Sequence, residues 1–187
     1  IAAEYSIVKQ TFQEASDALA YDVWNLVSNG PEELLNQTDR TQPIMLTAGI
    51  AMWRVWQSVS DIKPAYFAGH SLGEYTALVA ADAIDFTDAV KLVELRGQYM
   101  QQAVPAGEGA MAAILGLEDD VVREVCNEAS AAGVVEAVNF NSPGQVVIAG
   151  SVEAVKKATE IASDKGAKRA LILPVSVPSH CALMQLA

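Results

Sequence analysis

Ser71 is the side chain in this sequence best suited to act as a nucleophile, because it stands at the centre of Gly69-His70-Ser71-Leu72-Gly73, a G-x-S-x-G pentapeptide. Its flanks fit that role. Pro64 precedes a short apolar run, Ala65 to Ala68, of strand length, and Glu74 to Ala81 is rich in Ala and Leu and reads as a helix. A serine at a tight strand-to-helix turn is lifted clear of the sheet edge, while the helix N-terminus aims backbone N–H groups at whatever the serine attacks. The implied chemistry is acyl transfer through a serine ester. Such chemistry needs a base, and the sequence holds 2 histidines. His70 adjoins Ser71, and neighbours at a tight turn point apart, so His70 is expected to pack or bond locally. His180, in Val177-Pro178-Ser179-His180, is the remaining candidate, since triads are defined by geometry and not by spacing. Asp82, Asp85, Asp88, Asp119, Asp120 and Asp164 are available to orient it, although Asp85 and Asp119 read better as helix-terminal residues.

Arg96 is the third informative residue. On a wheel of about 100° per residue, Ala89, Leu92, Val93, Arg96, Met100 and Ala103 fall in one stripe, so the guanidinium projects from an apolar face. Removing an unpaired charge from water is costly, so an anion must answer it. That anion is either an internal carboxylate or an acidic ligand. In an acyl-transfer site the second option selects substrates with a free carboxylate, which the planar guanidinium fork matches in a bidentate way.

The elements that must position these groups follow in order. Residues 4–19 set Val8, Phe12, Ala15 and Leu19 on one helical face, and Gly30-Pro31 then breaks the chain. Thr41-Gln42-Pro43 opens a helix that is apolar on nearly every face to Val59, Trp53 and Trp56 included, and is expected to be buried against a sheet and other helices. After the serine turn and its helix, Asp85 caps a helix to about Ala103. From there the pattern is strand 111–115, helix 119–132 with Val122, Val125, Cys126 and Ala129 inward, strand 134–138, turn 139–144, strand 146–149, a helix capped by Ser151 and ended by Gly166, and strand 169–173. This β-α-β-β-α-β order is the ferredoxin-like split pattern.

Composition bounds the function classes. With 187 residues, 51% of them hydrophobic, the chain can bury a real core as one domain or two small ones. A net charge of -11 argues against nucleic acid as a partner, and any anionic ligand must be met by a local cationic cluster. Cys126 and Cys181 lack metal-ligand spacing and fit buried small hydrophobes in a reduced, cytoplasmic protein. No apolar run reaches the length of a membrane span. The chain opens on Ile1 and stops at Ala187 in a helix predicted from near Ser179, so it reads as a piece of something longer.

Taken together, Gly69-His70-Ser71-Leu72-Gly73-Glu74-Tyr75, Arg96 with Met100, Asn139-Phe140-Asn141-Ser142-Pro143-Gly144-Gln145 and Val177-Pro178-Ser179-His180 closely resemble the malonyl-CoA:acyl carrier protein transacylases, the discrete bacterial acyltransferases of fatty acid synthesis. The resemblance covers essentially the whole chain. It implies an α/β fold: an α/β-hydrolase-like main domain with a parallel sheet, incomplete here, formed by 1–103 and 179–187, and a ferredoxin-like subdomain over 104–178. It also implies roles. Ser71 carries the malonyl ester, His180 is the base, the Leu72 N–H is one oxyanion donor, and Arg96 holds the malonyl carboxylate. Gln42 lines the pocket with Met100, His70, Asn139 and Asn141, while Lys168 and Arg169 meet coenzyme A phosphates or the acidic carrier protein. The partners are malonyl-CoA and acyl carrier protein, the protein is monomeric, and neither metal nor resident cofactor takes part.

Two departures from the family pattern set an expectation for this chain alone. The family's second oxyanion donor comes from a loop that would precede Ile1, and the carbonyl that orients its histidine comes from a segment that would follow Ala187. Losing one oxyanion donor typically costs about 10²- to 10³-fold in rate, so the 187-residue chain by itself is expected to be inactive or nearly so. Two rival readings stay open at this level. One is an esterase or thioesterase that lets water resolve the acyl-serine. The other is a docking or regulatory module that keeps the fold without the chemistry.

Overall fold

The structure, a computed structural model, describes residues 1–175 and 177–187. It divides into two compact units, residues 1–98 and 99–187.

The first unit is built from helices. α1 (Ser6–Leu19) buries Val8, Thr11, Phe12 and Ala15, three of them from the face read in the sequence. Two short helices not anticipated as such follow, α2 (Val23–Asn29) and α3 (Glu32–Leu35). α2 is fixed at its start by the Asp22 carboxylate, which accepts from the Asn25 N–H at 2.8 Å. α4 (Thr38–Val59) begins a turn earlier than expected, because the Arg40 and Thr41 N–H groups close onto the Gln37 carbonyl. Pro43 therefore lies in the second turn and not the first. α4 buries Ile44, Leu46, Thr47, Ile50, Ala51 and Val55. Its other side is open: Met45, Met52, Trp56 and Val59 are exposed, contrary to the expected all-round burial. α5 (Leu72–Ala80) and α6 (Phe86–Ala103, which runs into the second unit) complete the set, and Asp85 caps α6 by accepting from the Thr87 N–H at 2.9 Å.

The strand expected over 65–68 is not formed. Residues 61–70 lie outside helix and strand and are exposed, Tyr66 at 91%. A strand exists only through ladder bonds to a neighbour, and every regular element of the first unit is a helix. Consequently no parallel sheet is present among the described residues.

The second unit holds one four-stranded antiparallel sheet in the order β2-β3-β1-β4, from β1 (Gly109–Leu115), β2 (Val135–Ser142), β3 (Gln145–Ser151) and β4 (Arg169–Ile172). α7 (Asp119–Ala129) links β1 to β2, and α8 (Val152–Asp164) links β3 to β4. Alternation with period 2 sends Ala112, Ile114, Val146 and Ile148 to one face. There they bury Val122, Val125, Cys126 and Ala129 of α7, the four residues the pattern predicted, together with Ala154, Val155, Ala158 and Ala162 of α8. Met111, Val147 and Ala149 point to the other face and pack on Cys181 and Leu183. Residues 179–187 thus belong to this unit, and a short 3-10 turn at Ala182–Met184 stands where a longer helix was predicted from Ser179.

Two local readings change. β2 runs on through Asn139 to Ser142, with bulges, because β3 offers Val147, Val146 and Gln145 as partners, so the turn contracts to Pro143 and Gly144. Ser151 precedes α8 but makes no side-chain cap; its hydroxyl instead donates to the Val134 carbonyl at 3.4 Å. Among the described residues no helix is long and apolar enough to cross a membrane.

Both cysteines are free and buried. Burial, aided by the Glu136 charge, pushes the Cys126 thiol up to about 11, and burial also raises Cys181. At pH 8 roughly one Cys126 in a thousand is then a thiolate. Pulse alkylation of the native protein at that pH, mapped by peptide mass, is expected to leave both residues unmodified until urea is added.

Candidate functional site

The turn before α5 is built by one close approach. A β-carbon on Gly69 would lie 1.9 Å from both the carbonyl carbon and oxygen of Gly73, so the chain can fold back on itself there only without a side chain. The Gly73 N–H donates to the His70 carbonyl at 2.9 Å and the Glu74 N–H to the Ser71 carbonyl at 3.2 Å, which starts the helix immediately after the serine. Ser71 itself sits at φ 54°, ψ -114°, a conformation costly for a residue with a β-carbon. Such strain at the tip of a G-x-S-x-G turn is the mark of a nucleophile elbow. Leu72, the first residue of α5, keeps its N–H outside the helix ladder, as a first-turn donor must.

Arg96 reaches this turn. Its Nη2 donates to Ser71 Oγ at 3.1 Å and its Nη1 to Gln42 Oε1, while its guanidinium carbon lies 5.8 Å from the centre of the Tyr75 ring. Gln42 is only 4% exposed, and its Nε2 donates to Thr38 Oγ1 at 2.9 Å. The placement of α6 depends on Gly97. A β-carbon there would come within 2.5 Å of Asp39 Cα and 2.7 Å of the Thr38 carbonyl oxygen, so glycine lets α6 rest on the first turn of α4. The helical wheel put Arg96 on the inward stripe, and it is half-buried beside buried Val93, Gly97 and Met100; Leu92, assigned to the same stripe, is instead 43% exposed. The stripe is narrower than the wheel drew it.

The partners of Arg96 are neutral. Arg40 pairs with Glu94 and lies over the Tyr21 ring at 4.4 Å. Arg54 pairs with Glu14 at 2.6 Å and lies 4.9 Å from the centre of the Phe86 ring. Arg96 alone of these three has no carboxylate in ion-pair contact among the described residues. The arrangement presents a serine hydroxyl, a helix N-terminus and an uncompensated positive charge side by side, which suits an acyl group that carries its own carboxylate.

The first unit therefore brings together Ser71, Leu72, Gln42 and Arg96, with exposed His70 beside them in sequence. Met100, Asn139, Asn141, Lys168, Arg169 and His180 belong to the second unit. Within it, Met100 is buried, Asn139 lies at a bulge of β2 with a buried Oδ1 that meets no hydrogen-bond partner among the described residues, and Asn141 is exposed. Lys168 and Arg169 are exposed at the start of β4, where the Lys168 N–H donates to the Leu115 carbonyl at 2.8 Å. His180 is exposed at φ 69° on a turn anchored by buried Val177 and Cys181, the thiol donating to the Pro178 carbonyl at 3.1 Å. Among the described residues no group of three or more His, Cys, Asp or Glu is placed to hold a metal ion. Thr38 and Gly97 escaped the sequence reading. The signal for Thr38 was its place one helical turn before Gln42, and for Gly97 its place next to an inward arginine.

The acyl transferase domain family matches residues 5–187. Malonyl CoA-acyl carrier protein transacylase of Escherichia coli (strain K12) is 61% identical over 185 residues, covering 99% of this chain and 60% of its own length. The structure of the malonyl CoA-acyl carrier protein transacylase from Coxiella burnetii is similar at a TM-score of 0.95 and 55% identity, over 99% of this chain and 58% of its own. A third relative is a malonyl-transacylase solved in complex with a type II PKS acyl-carrier protein, at a TM-score of 0.93 and 57% identity, over 98% of this chain and 59% of its own. The chain spans about 60% of the length of these curated relatives.

Gly69→Ala is expected to distort the turn and displace Ser71. A misplacement near 1 Å costs on the order of 10²-fold in reactivity. The measurement is the rate at which a sulfonyl fluoride modifies Ser71, with thermal melting to confirm that the variant is folded; an unchanged rate would show that the turn tolerates the added β-carbon.

Proposed function

The chain belongs to the acyl transferase domain family, and we propose that the protein it represents moves a malonyl group from malonyl-CoA to the phosphopantetheine thiol of acyl carrier protein, supplying fatty acid synthesis. The observation that carries this reading is Arg96, a half-buried cation with only neutral partners, donating to the serine of a strained G-x-S-x-G turn. The malonyl-transacylase solved with an acyl-carrier protein supports the choice of acceptor.

Two half-reactions follow. Ser71 Oγ attacks the thioester carbonyl as His180 takes its proton, the oxyanion forms against the Leu72 N–H, and coenzyme A leaves as a thiol with the proton from His180. The carrier thiol, deprotonated by the same histidine, then attacks the malonyl ester, and Ser71 departs with the proton restored. The malonyl carboxylate faces Arg96 throughout. It competes with Ser71 Oγ for the guanidinium, so substrate binding itself relieves the serine oxygen of the bond it accepts at rest. Gln42, Met100, His70, Asn139 and Asn141 shape the pocket in this reading, and the exposed pair Lys168 and Arg169 meets the anionic coenzyme or carrier, a local basic patch on a chain of net charge -11. The chemistry uses no resident metal or cofactor and takes place in the cytoplasm on a monomer.

The same reading covers the architecture. Residues 104–178 form a ferredoxin-like subdomain, supported by the split order β2-β3-β1-β4 with α7 and α8 on one face, and 179–187, whose Cys181 and Leu183 pack on the sheet's other face, lead on from it towards the main domain of 1–103. The run 65–68 serves as a strand of a hydrolase-like parallel sheet in the whole protein, supported by the strand-turn-helix logic of the elbow.

Incubation of the intact protein with malonyl-CoA, read by whole-protein mass, is expected to give a single malonyl adduct that Ser71→Ala abolishes. Rapid appearance of free malonate would favour a hydrolase, and absence of any adduct a non-catalytic module. Arg96→Ala is expected to lower kcat/KM for malonyl-CoA on the order of 10²-fold more than for acetyl-CoA, as loss of one partner of a charged hydrogen-bonded pair does; equal losses on both substrates would refute the carboxylate-reading role.

A further inference from the structure

We propose that Glu136 is a positioning residue for His180, tying the turn that carries the imidazole to the sheet. The inference rests on the reading of His180 as the base and adds to it what fixes that base in place. Cross-strand register puts Glu136, on the edge strand β2, opposite Ala149 of β3, so the two side chains share a face. Ala149 packs on Cys181 together with Met111 and Val147, so this is the face on which the His180 turn lies. Beside those apolar neighbours Glu136 brings a charged acceptor, and its Oε2 accepts from the Ala182 N–H at 3.1 Å.

His180 lies between Pro178 and Ala182 in the sequence, and these two flanks meet different strands. The Pro178 ring lies so close to Gly109 of β1 that a β-carbon there would come within 2.4 Å of Pro178 Cδ. Glu136 of β2 takes the other flank. β3 runs between these strands, so the turn lies across it, with Cys181 packed on Val147 and Ala149. The bonds inside the turn, from the Cys181 thiol to the Pro178 carbonyl at 3.1 Å and from the Met184 N–H to the Cys181 carbonyl at 3.0 Å, set its shape. They travel with it. The Glu136 bond reaches outside the turn and is directional, so it sets where the turn stands along β2, a register that apolar packing of Cys181 does not specify. At φ 69°, His180 holds a conformation that persists only where its surroundings enforce it, so slackening one flank lets the backbone relax and the imidazole swing.

Glu136 is exposed, so Glu136→Ala removes the acceptor without opening the core. In the intact protein it is expected to lower kcat about 5- to 10-fold for malonyl-CoA and acetyl-CoA alike, with KM changed less than about 2-fold, because the base serves both substrates and binds neither. Glu136→Gln keeps an acceptor oxygen without the charge and is expected to return kcat to within about 2-fold of the unsubstituted protein. An effect of the negative charge on the anionic coenzyme or carrier would instead appear equally in Gln and Ala. Should the Ala variant fail to fold, Glu136→Thr, a strand former too short to reach Ala182, gives the same comparison. Combined with His180→Ala, the substitution is expected to add nothing further. The proposal is overturned if Glu136→Ala leaves kcat unchanged, acts through KM or on one substrate alone, is matched by Glu136→Gln, or adds its full effect on top of His180→Ala. If His180→Ala itself leaves turnover intact, the reading of His180 falls and this proposal with it. A damaged His180→Ala beside an unaffected Glu136→Ala removes the proposal alone.

Discussion

A positive charge held near the protein interior by neutral acceptors is the constraint on which the first unit turns. Arg40 and Arg54 show the ordinary solution in the same helices: each takes a carboxylate, Glu94 and Glu14, and each spreads its flat face near an aromatic ring. Half-exposed pairs of that kind add little stability on their own, about 0–1 kcal/mol, but they fix α4 against α6 and α1. Arg96 is treated differently. Gln42 and Ser71 accept from it without neutralising it, so the cost of partly desolvating a guanidinium is not offset by a carboxylate in ion-pair contact among the described residues. A positive charge is thus stored in the fold beside a serine hydroxyl.

That storage requires close tolerances, and two glycines provide them. At Gly69 the chain folds back so close to Gly73 that a β-carbon would overlap the Gly73 carbonyl, while Ser71 takes a positive φ and α5 starts directly behind it. At Gly97 α6 lies on the first turn of α4, which brings Arg96 within reach of both Gln42 and Ser71. Neither contact contributes much energy. Each excludes a β-carbon so that a polar group can stand where it otherwise could not.

Much of this was legible in the sequence because periodicity carries burial. The α7 face of Val122, Val125, Cys126 and Ala129 and the alternation of β1 and β3 follow from periods of 3.6 and 2. Arg96 was found by the same rule, as a charge on an apolar stripe. What periodicity could not supply is partnership. The apolar run 65–68 has strand composition, yet a strand needs a neighbour to bond with and the first unit contains only helices. α4 reads as apolar all round, yet Met45, Met52, Trp56 and Val59 are exposed because α1, α3, α5 and α6 line only part of its circumference. Asn139 to Ser142 reads as a turn from its Asn, Ser and Pro content, but three residues of β3 lie opposite and recruit it into the ladder.

Backbone strain is concentrated at a few positions in the fold. Among the described residues, the non-glycine positions at positive φ are Ala20, Ser71, Asp82 and His180. Ala20 and Asp82 have a local reason, since each follows the end of a helix, where left-handed residues commonly stop the chain. Ser71 and His180 have no such excuse. One opens a helix, and the other stands in an exposed turn between two buried anchors, Pro178 and Cys181. Each costs of order 1–3 kcal/mol and persists only where its surroundings over-determine it. For Ser71 those surroundings are the Gly69–Gly73 contact; for His180 they are the packing of Val177 and Cys181, the latter against Met111, Val147 and Ala149. A hydroxyl and an imidazole, one in each unit, are thus each held in strained backbone by independent means.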